Sequence, residues 1–107
     1  MDTTIRVSDG LTTLVNIFTV EPENHQKLVE LLKGSTETMI SKTPGWISTN
    51  FLSTKDSRRV IVYSQWRSVK DIETMRQNPE MGPYLQRIAA IAKFDAMACD
   101  VTYVHHA

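Results

Sequence analysis

The hydrophobic positions of this chain alternate between runs of period two and runs of helical period. From Thr12 to Val20 (T-T-L-V-N-I-F-T-V) β-branched residues dominate, which predicts a strand with Leu14, Asn16, Phe18 and Val20 on one face and Val15, Ile17 and Thr19 on the other. Glu21-Pro22 ends it. Pro22 suits the first turn of a helix and the acids at 21 and 23 suit its positive end; Leu28, Leu32, Met39 and Ile40 then recur at helical spacing to about Lys42. Gly34-Ser35 weakens the middle of this helix, and Thr43-Pro44-Gly45 terminates it. Trp46 to Thr54 is extended again, Lys55-Asp56-Ser57 makes a hairpin turn, and the β-branched and aromatic run Arg59 to Trp66 is the next strand. Ser68 caps a short helix carrying Ile72 and Met75, with Asp71 three residues on in a loose capping box. That helix fades at Gln77-Asn78-Pro79. A further helix is predicted from about Pro83 to Lys93, and a last strand from Ala96 to His105, with Met97, Cys99, Val101 and Tyr103 on one face.

The order β-α-β-β-α-α-β is that of a ferredoxin-like α+β domain with a four-stranded antiparallel sheet. Helices on one face leave the other bare, and the pattern predicts that this bare face is apolar on every strand. Two such sheets packed face to face would cover it, which predicts a twofold homodimer.

At 107 residues the chain fits one domain, residues 1–107, with no internal repeat or linker. Twelve Lys+Arg balance twelve Asp+Glu, so neither nucleic acid nor an anionic membrane is an expected partner. No apolar run approaches the roughly 18 residues of a membrane span, and the start Met-Asp-Thr-Thr-Ile-Arg lacks the regions of a signal peptide. A single cysteine, Cys99, permits no intrachain disulfide and points to the cytoplasm.

Metal binding is not expected. His25 stands alone, His105 and His106 are adjacent and face opposite ways in an extended chain, and no H-x-x-x-H or C-x-x-C occurs. There is no G-x-G-x-x-G and no P-loop, Ser64 lies in no nucleophile elbow, and Cys99 has no nearby partner. Asn16 and Trp66 remain. A buried amide on an otherwise apolar strand face either satisfies a neighbouring strand or a buried water, or it donates to an oxygen of a ligand. Trp66, at a strand end, either packs in the core or walls a pocket between sheet and helices. Phe18, Val62 and Ser64 on the strands, and Ile72, Met75, Tyr84 and Arg87 on the helices, are the candidate substrate contacts. Met75, Tyr84 and Arg87 also suit a core edge or a solvated face.

Four segments, L-V-N-I-F-T-V-E-P from Leu14, T-P-G-W from Thr43, I-V-Y-S-Q-W-R-S from Ile61 and D-I-E-T-M from Asp71, resemble the antibiotic biosynthesis monooxygenases, small dimeric α+β-barrel proteins. The resemblance implies cofactor-independent oxidation of an electron-rich aromatic or quinol, as in the oxygenases that convert polyketide anthrones to quinones. The implied course is loss of a phenolic or enolic proton, electron transfer to dioxygen, recombination at carbon and loss of water. It also implies catalytic roles for Asn16 and Trp66, the first polarising a substrate oxygen and the second shaping and polarising the pocket. The chain departs from the anthrone oxygenases at three points: Val62 stands where they carry a second asparagine, Ile72 where one member has a tyrosine, and Gln86, beside Arg87, where they have an arginine. The haem-degrading relatives' tryptophan and histidine fall at Met75 and Leu85, so the haem ligand is absent. The expectation is a cofactor-free monooxygenase using a small aromatic substrate and dioxygen. Its alternative is a non-oxidative binding or isomerase member of the same superfamily.

Overall fold

A computed structural model describes residues 2–7 and 10–107. The elements are β1 (Thr12–Val20), α1 (His25–Thr38), β2 (Trp46–Ser53), β3 (Arg59–Trp66), α2 (Val69–Arg76), α3 (Met81–Ala89) and β4 (Ala92–Cys99). The four strands form one antiparallel sheet in the order β2-β3-β1-β4. The ferredoxin-like α+β arrangement is therefore the observed one, with the two central strands coming from the two runs richest in β-branched residues.

Several boundaries differ from those expected. The first helix is shorter than Pro22 to Lys42, because 3₁₀ turns at Pro22–Asn24 and Ile40–Lys42 flank it. The helix runs unbroken through Gly34, where a Cβ would make ordinary van der Waals contact with the Tyr84 ring of α3, Cε1 at 3.7 Å. The last helix ends at Ala89, and the last strand starts at Ala92 and stops at Cys99 rather than running from Ala96 to His105. Pairing with β1 decides this. Val20 lies opposite Ala92 and Thr13 opposite Cys99, and β1 itself begins at Thr12, so β4 runs out of partner just after Cys99.

Two corners are tied by side chains. Ser68 Oγ accepts the Asp71 backbone N–H at 3.2 Å and donates to Asp71 Oδ2 at 3.0 Å, so the expected cap is present at the start of α2. In the β2-β3 turn, Asp56 Oδ1 accepts from the Thr54 hydroxyl at 2.7 Å and from the Arg58 N–H at 3.0 Å, and these bonds hold its carboxyl below the ordinary value.

Between sheet and helices the buried apolar side chains form two clusters. One contains Phe18, Val20, Leu28, Leu32, Val60, Ile88 and Ala92. The other contains Leu14, Met39, Trp66, Ile72, Met75 and Met81. The opposite sheet face is apolar along its centre, where Val15, Ile17, Ile61 and Tyr63 stand, but not on every strand. By register, β2 contributes Ser48, Asn50 and Leu52 to it, and β4 contributes Lys93, Asp95, Met97 and Cys99. The N-terminal segment reaches this face: the Thr3 hydroxyl donates to Asn50 Oδ1, and Gln65 Nε2 donates to the Thr4 carbonyl. Among the described residues, no helix is long and apolar enough to cross a membrane.

Candidate functional site

Register fixes which side chains share a face. In the β1-β3 pairing Thr12 lies opposite Trp66, Leu14 opposite Ser64, Asn16 opposite Val62 and Phe18 opposite Val60. Directly opposed residues project to the same side. Asn16, Val62, Ser64 and Trp66 thus stand on one face of the sheet, the face that packs on the helices.

Asn16 sits at the seam between the two apolar clusters. On its own strand Leu14 belongs to one and Phe18 to the other; across on β3, Trp66 belongs to the first and Val60 to the second. The amide oxygen Oδ1 is buried and has no hydrogen-bond partner. No neighbouring strand satisfies that oxygen, which leaves a buried water or a ligand hydroxyl as its partner. An orphaned buried acceptor costs about 1–3 kcal/mol, a cost that a ligand's hydroxyl would remove.

Trp66 is fully buried, enclosed by Leu14, Met39, Ile72, Met75 and Met81. Its Nε1–H donates to Ser64 Oγ at 3.0 Å, and the Ser64 hydroxyl in turn reaches the Leu14 carbonyl at 3.4 Å. The indole N–H is therefore engaged inside the protein, and what Trp66 offers the seam is its apolar ring and fixed position. Three methionines around one indole form a soft, polarisable wall that can repack.

The remaining candidates divide. Phe18 and Ser64 are buried on the site face, Val62 is half-buried opposite Asn16, and Ile72 and Met75 are buried beneath α2. Tyr84 and Arg87 are not turned to the seam. The Tyr84 hydroxyl shares a hydrogen bond with Thr38 Oγ1 of α1 at 3.0 Å, and exposed Arg87 lies over the Tyr84 ring, 5.8 Å from its centroid. Together they latch α3 to α1.

Sequence reasoning missed Met39 and Met81, which complete the enclosure of Trp66, and the small residues of β4 beside Asn16. Ala96 lies opposite Asn16 and Ala98 opposite Leu14, and both are exposed. Alternate alanines on a strand next to a buried amide were the available signal. The larger clefts lie on the other side of the molecule. One of about 610 Å³ runs beside Trp46, Ile47 and Asn50, and one of about 470 Å³ beside Thr13, Gln65 and Asp100. Both are formed by the N-terminal segment against the sheet. Among the described residues no group of three or more His, Cys, Asp or Glu converges as a metal site.

The family model for antibiotic biosynthesis monooxygenases matches residues 12–87. The chain belongs to that family. It is 35% identical over 100 residues to the tetracenomycin-F1 monooxygenase of Streptomyces glaucescens, spanning 94% of this chain and 89% of that protein. Among solved structures it resembles SnoaB, a cofactor-independent oxygenase from Streptomyces nogalater, with a TM-score of 0.75 at 16% identity over 89% of this chain and 96% of that one. A further antibiotic biosynthesis monooxygenase superposes with a TM-score of 0.75 at 10% identity, over 86% and 99% of the two chains. These structural likenesses bear on the fold, and the family membership and the tetracenomycin-F1 relative make the protein a monooxygenase.

Proposed function

We propose that this monooxygenase works without a bound cofactor on an electron-rich aromatic of the polyketide type, an anthrone, naphthol or quinol, and oxidises it to a quinone. The observation that carries the reading is the buried, unpartnered Asn16 Oδ1, set on the same sheet face as Trp66 at the seam between two apolar clusters. Its terminal amide torsion is close to twofold, so the same side chain accepts from a phenolic O–H and, turned over, donates to the phenolate that replaces it. The electron-rich anion gives one electron to dioxygen; the two radicals join at carbon, and loss of water from the resulting hydroperoxide leaves the carbonyl. One dioxygen supplies the quinone oxygen and the departing water, and the substrate supplies all the electrons. The apolar surroundings favour dioxygen and keep bulk water from the radical pair.

The protein acts as a homodimer in this reading. The central strip Val15, Ile17, Ile61 and Tyr63 is only half-buried, and Leu52 and Met97 beside it are 52% and 38% exposed. Tyr63 Oη, buried without a partner on that face, is a second polar atom that an apposed sheet could satisfy. A cytoplasmic location belongs to the same reading and is supported by the free thiol of Cys99.

The test is to supply anthrones, naphthols and quinols to chelator-treated protein and follow product with and without air. One dioxygen consumed per quinone formed supports the reading. A substrate that binds and is isomerised or left unchanged in air selects the non-oxidative alternative.

A further inference from the structure

The seam that holds Asn16 is open along one side. Ala96 and Ala98 of β4 are exposed although they stand on the face that helices cover elsewhere. Phe94, two residues earlier on that face, has its ring centroid 5.6 Å from that of Phe18 and is nevertheless 42% exposed. On α3, Leu85 shares the stripe of the buried Met81 and Ile88 by helical spacing, yet it is 39% exposed. Taken as floor and roof of one gap, these apolar side chains of β4 and α3 remain wet, and the Asn16 amide, one strand in from Ala96, stands at its inner end.

The charges around this gap point away from it. By register Lys93 and Asp95 lie on the other face of β4, Arg87 is exposed over Tyr84 on the α1 side of α3, and position 86 is a neutral glutamine. The inner end offers the uncharged Asn16 amide, since the Trp66 N–H and the Ser64 hydroxyl are already engaged. A carboxylate carried to that end would lose its water and meet no cation. The same carboxylate at the outer end would stay solvated.

We propose that the ligand enters hydroxyl first: a phenolic arene whose O–H meets Asn16 at the seam and whose far ring emerges between Leu85 and Phe94. Negatively charged substituents are therefore accepted on the far ring and rejected on the ring bearing the hydroxyl. This inference rests on the Asn16 reading above and adds to it the orientation and charge pattern of the substrate.

The experiment is equilibrium binding under nitrogen at neutral pH, by calorimetry, so that turnover plays no part. The probes are naphthol, the hydroxynaphthoate with its carboxylate on the far ring, and the isomer with its carboxylate meta to the hydroxyl on the same ring. Naphthol and the far-ring acid are expected to bind within about threefold of each other, and the same-ring acid at least about tenfold more weakly. Ala96→Leu, which fills the floor at an exposed position, is expected to weaken the first two about tenfold or more while the circular dichroism stays that of the folded protein. Equal binding of the two acids, no binding by any probe, or a folded Ala96→Leu protein with unchanged affinities would overturn the inference. The expected binding order with no oxygen uptake in air would keep it and sink the oxygenase reading instead.

Discussion

Trp66 donates its indole N–H to the hydroxyl of Ser64, two residues back on the same strand and the same face, at 3.0 Å. Both side chains are buried, so the bond has no water to replace it. Ser64→Ala should leave the N–H stranded and cost about 1–3 kcal/mol. For a domain of this size that is a fall in Tm of roughly 4 °C or more. Ser64→Thr keeps the hydroxyl and should recover most of the loss. Thermal melts of the two variants check this; equal stability of Ser64→Ala and the unaltered protein would show that the bond contributes nothing.

Gly45 carries a second, purely structural constraint. Its φ is +92°, and a Cβ there would collide with the Asp71 carboxylate, which is itself bonded to Ser68 at the cap of α2. The Gly45 carbonyl also accepts the Arg67 N–H at 2.8 Å, so the turn before β2 is tied to the end of β3. Gly45→Ala should destabilise by about 2–4 kcal/mol through left-handed backbone strain and the clash together. Because the Asp71 Cβ would itself lie 2.7 Å away, Asp71→Ala in the same chain should relieve the clash only in part and leave the strain, and urea unfolding of the double variant should show at most a small recovery.

The strand runs at 12–20 and 59–66 were legible to the residue, because their period-two pattern is long and is bounded by Glu-Pro and by the Trp-Arg-Ser cap. From their parity the shared face of Asn16 and Trp66 followed correctly. The last strand was misplaced since Ala92 to Phe94 is too short a run to separate from the helix before it, and since Val101 and Tyr103 continue the alternation past the end of β1. Helical periodicity placed Tyr84 and Arg87 on α3 but could not say that they turn to α1, where the Tyr84 hydroxyl meets Thr38. The engagement of the Trp66 N–H was beyond reach for a similar reason: it depends on a rotamer, and sequence spacing does not fix rotamers.

The open sheet face predicts association. Sedimentation at micromolar concentration should give a twofold dimer burying upwards of roughly 2,000 Å², the range of obligate pairs. Ile17→Lys places a charge at the centre of the strip and should yield a monomer or an insoluble chain, whereas Leu85→Lys on the helix side should leave the dimer intact. A stable, folded wild-type monomer would refute this.

Chelation and dialysis should leave the activity untouched. Because the substrate supplies the electrons in the proposed course, added flavin, haem or divalent metal should not raise the rate of protein freed of all three. Activity that falls on chelation and returns with a metal would refute the cofactor-free claim and leave the fold assignment standing.

The Asn16 amide is the point on which the account turns, and oxygen-electrode kinetics of Asn16→Ala against the unaltered protein test it most directly. An amide that acts as charge develops should be worth about 10²–10³-fold in kcat, with KM changed far less, in a variant that melts normally. A folded Asn16→Ala protein that consumes dioxygen at the original kcat would contradict the account.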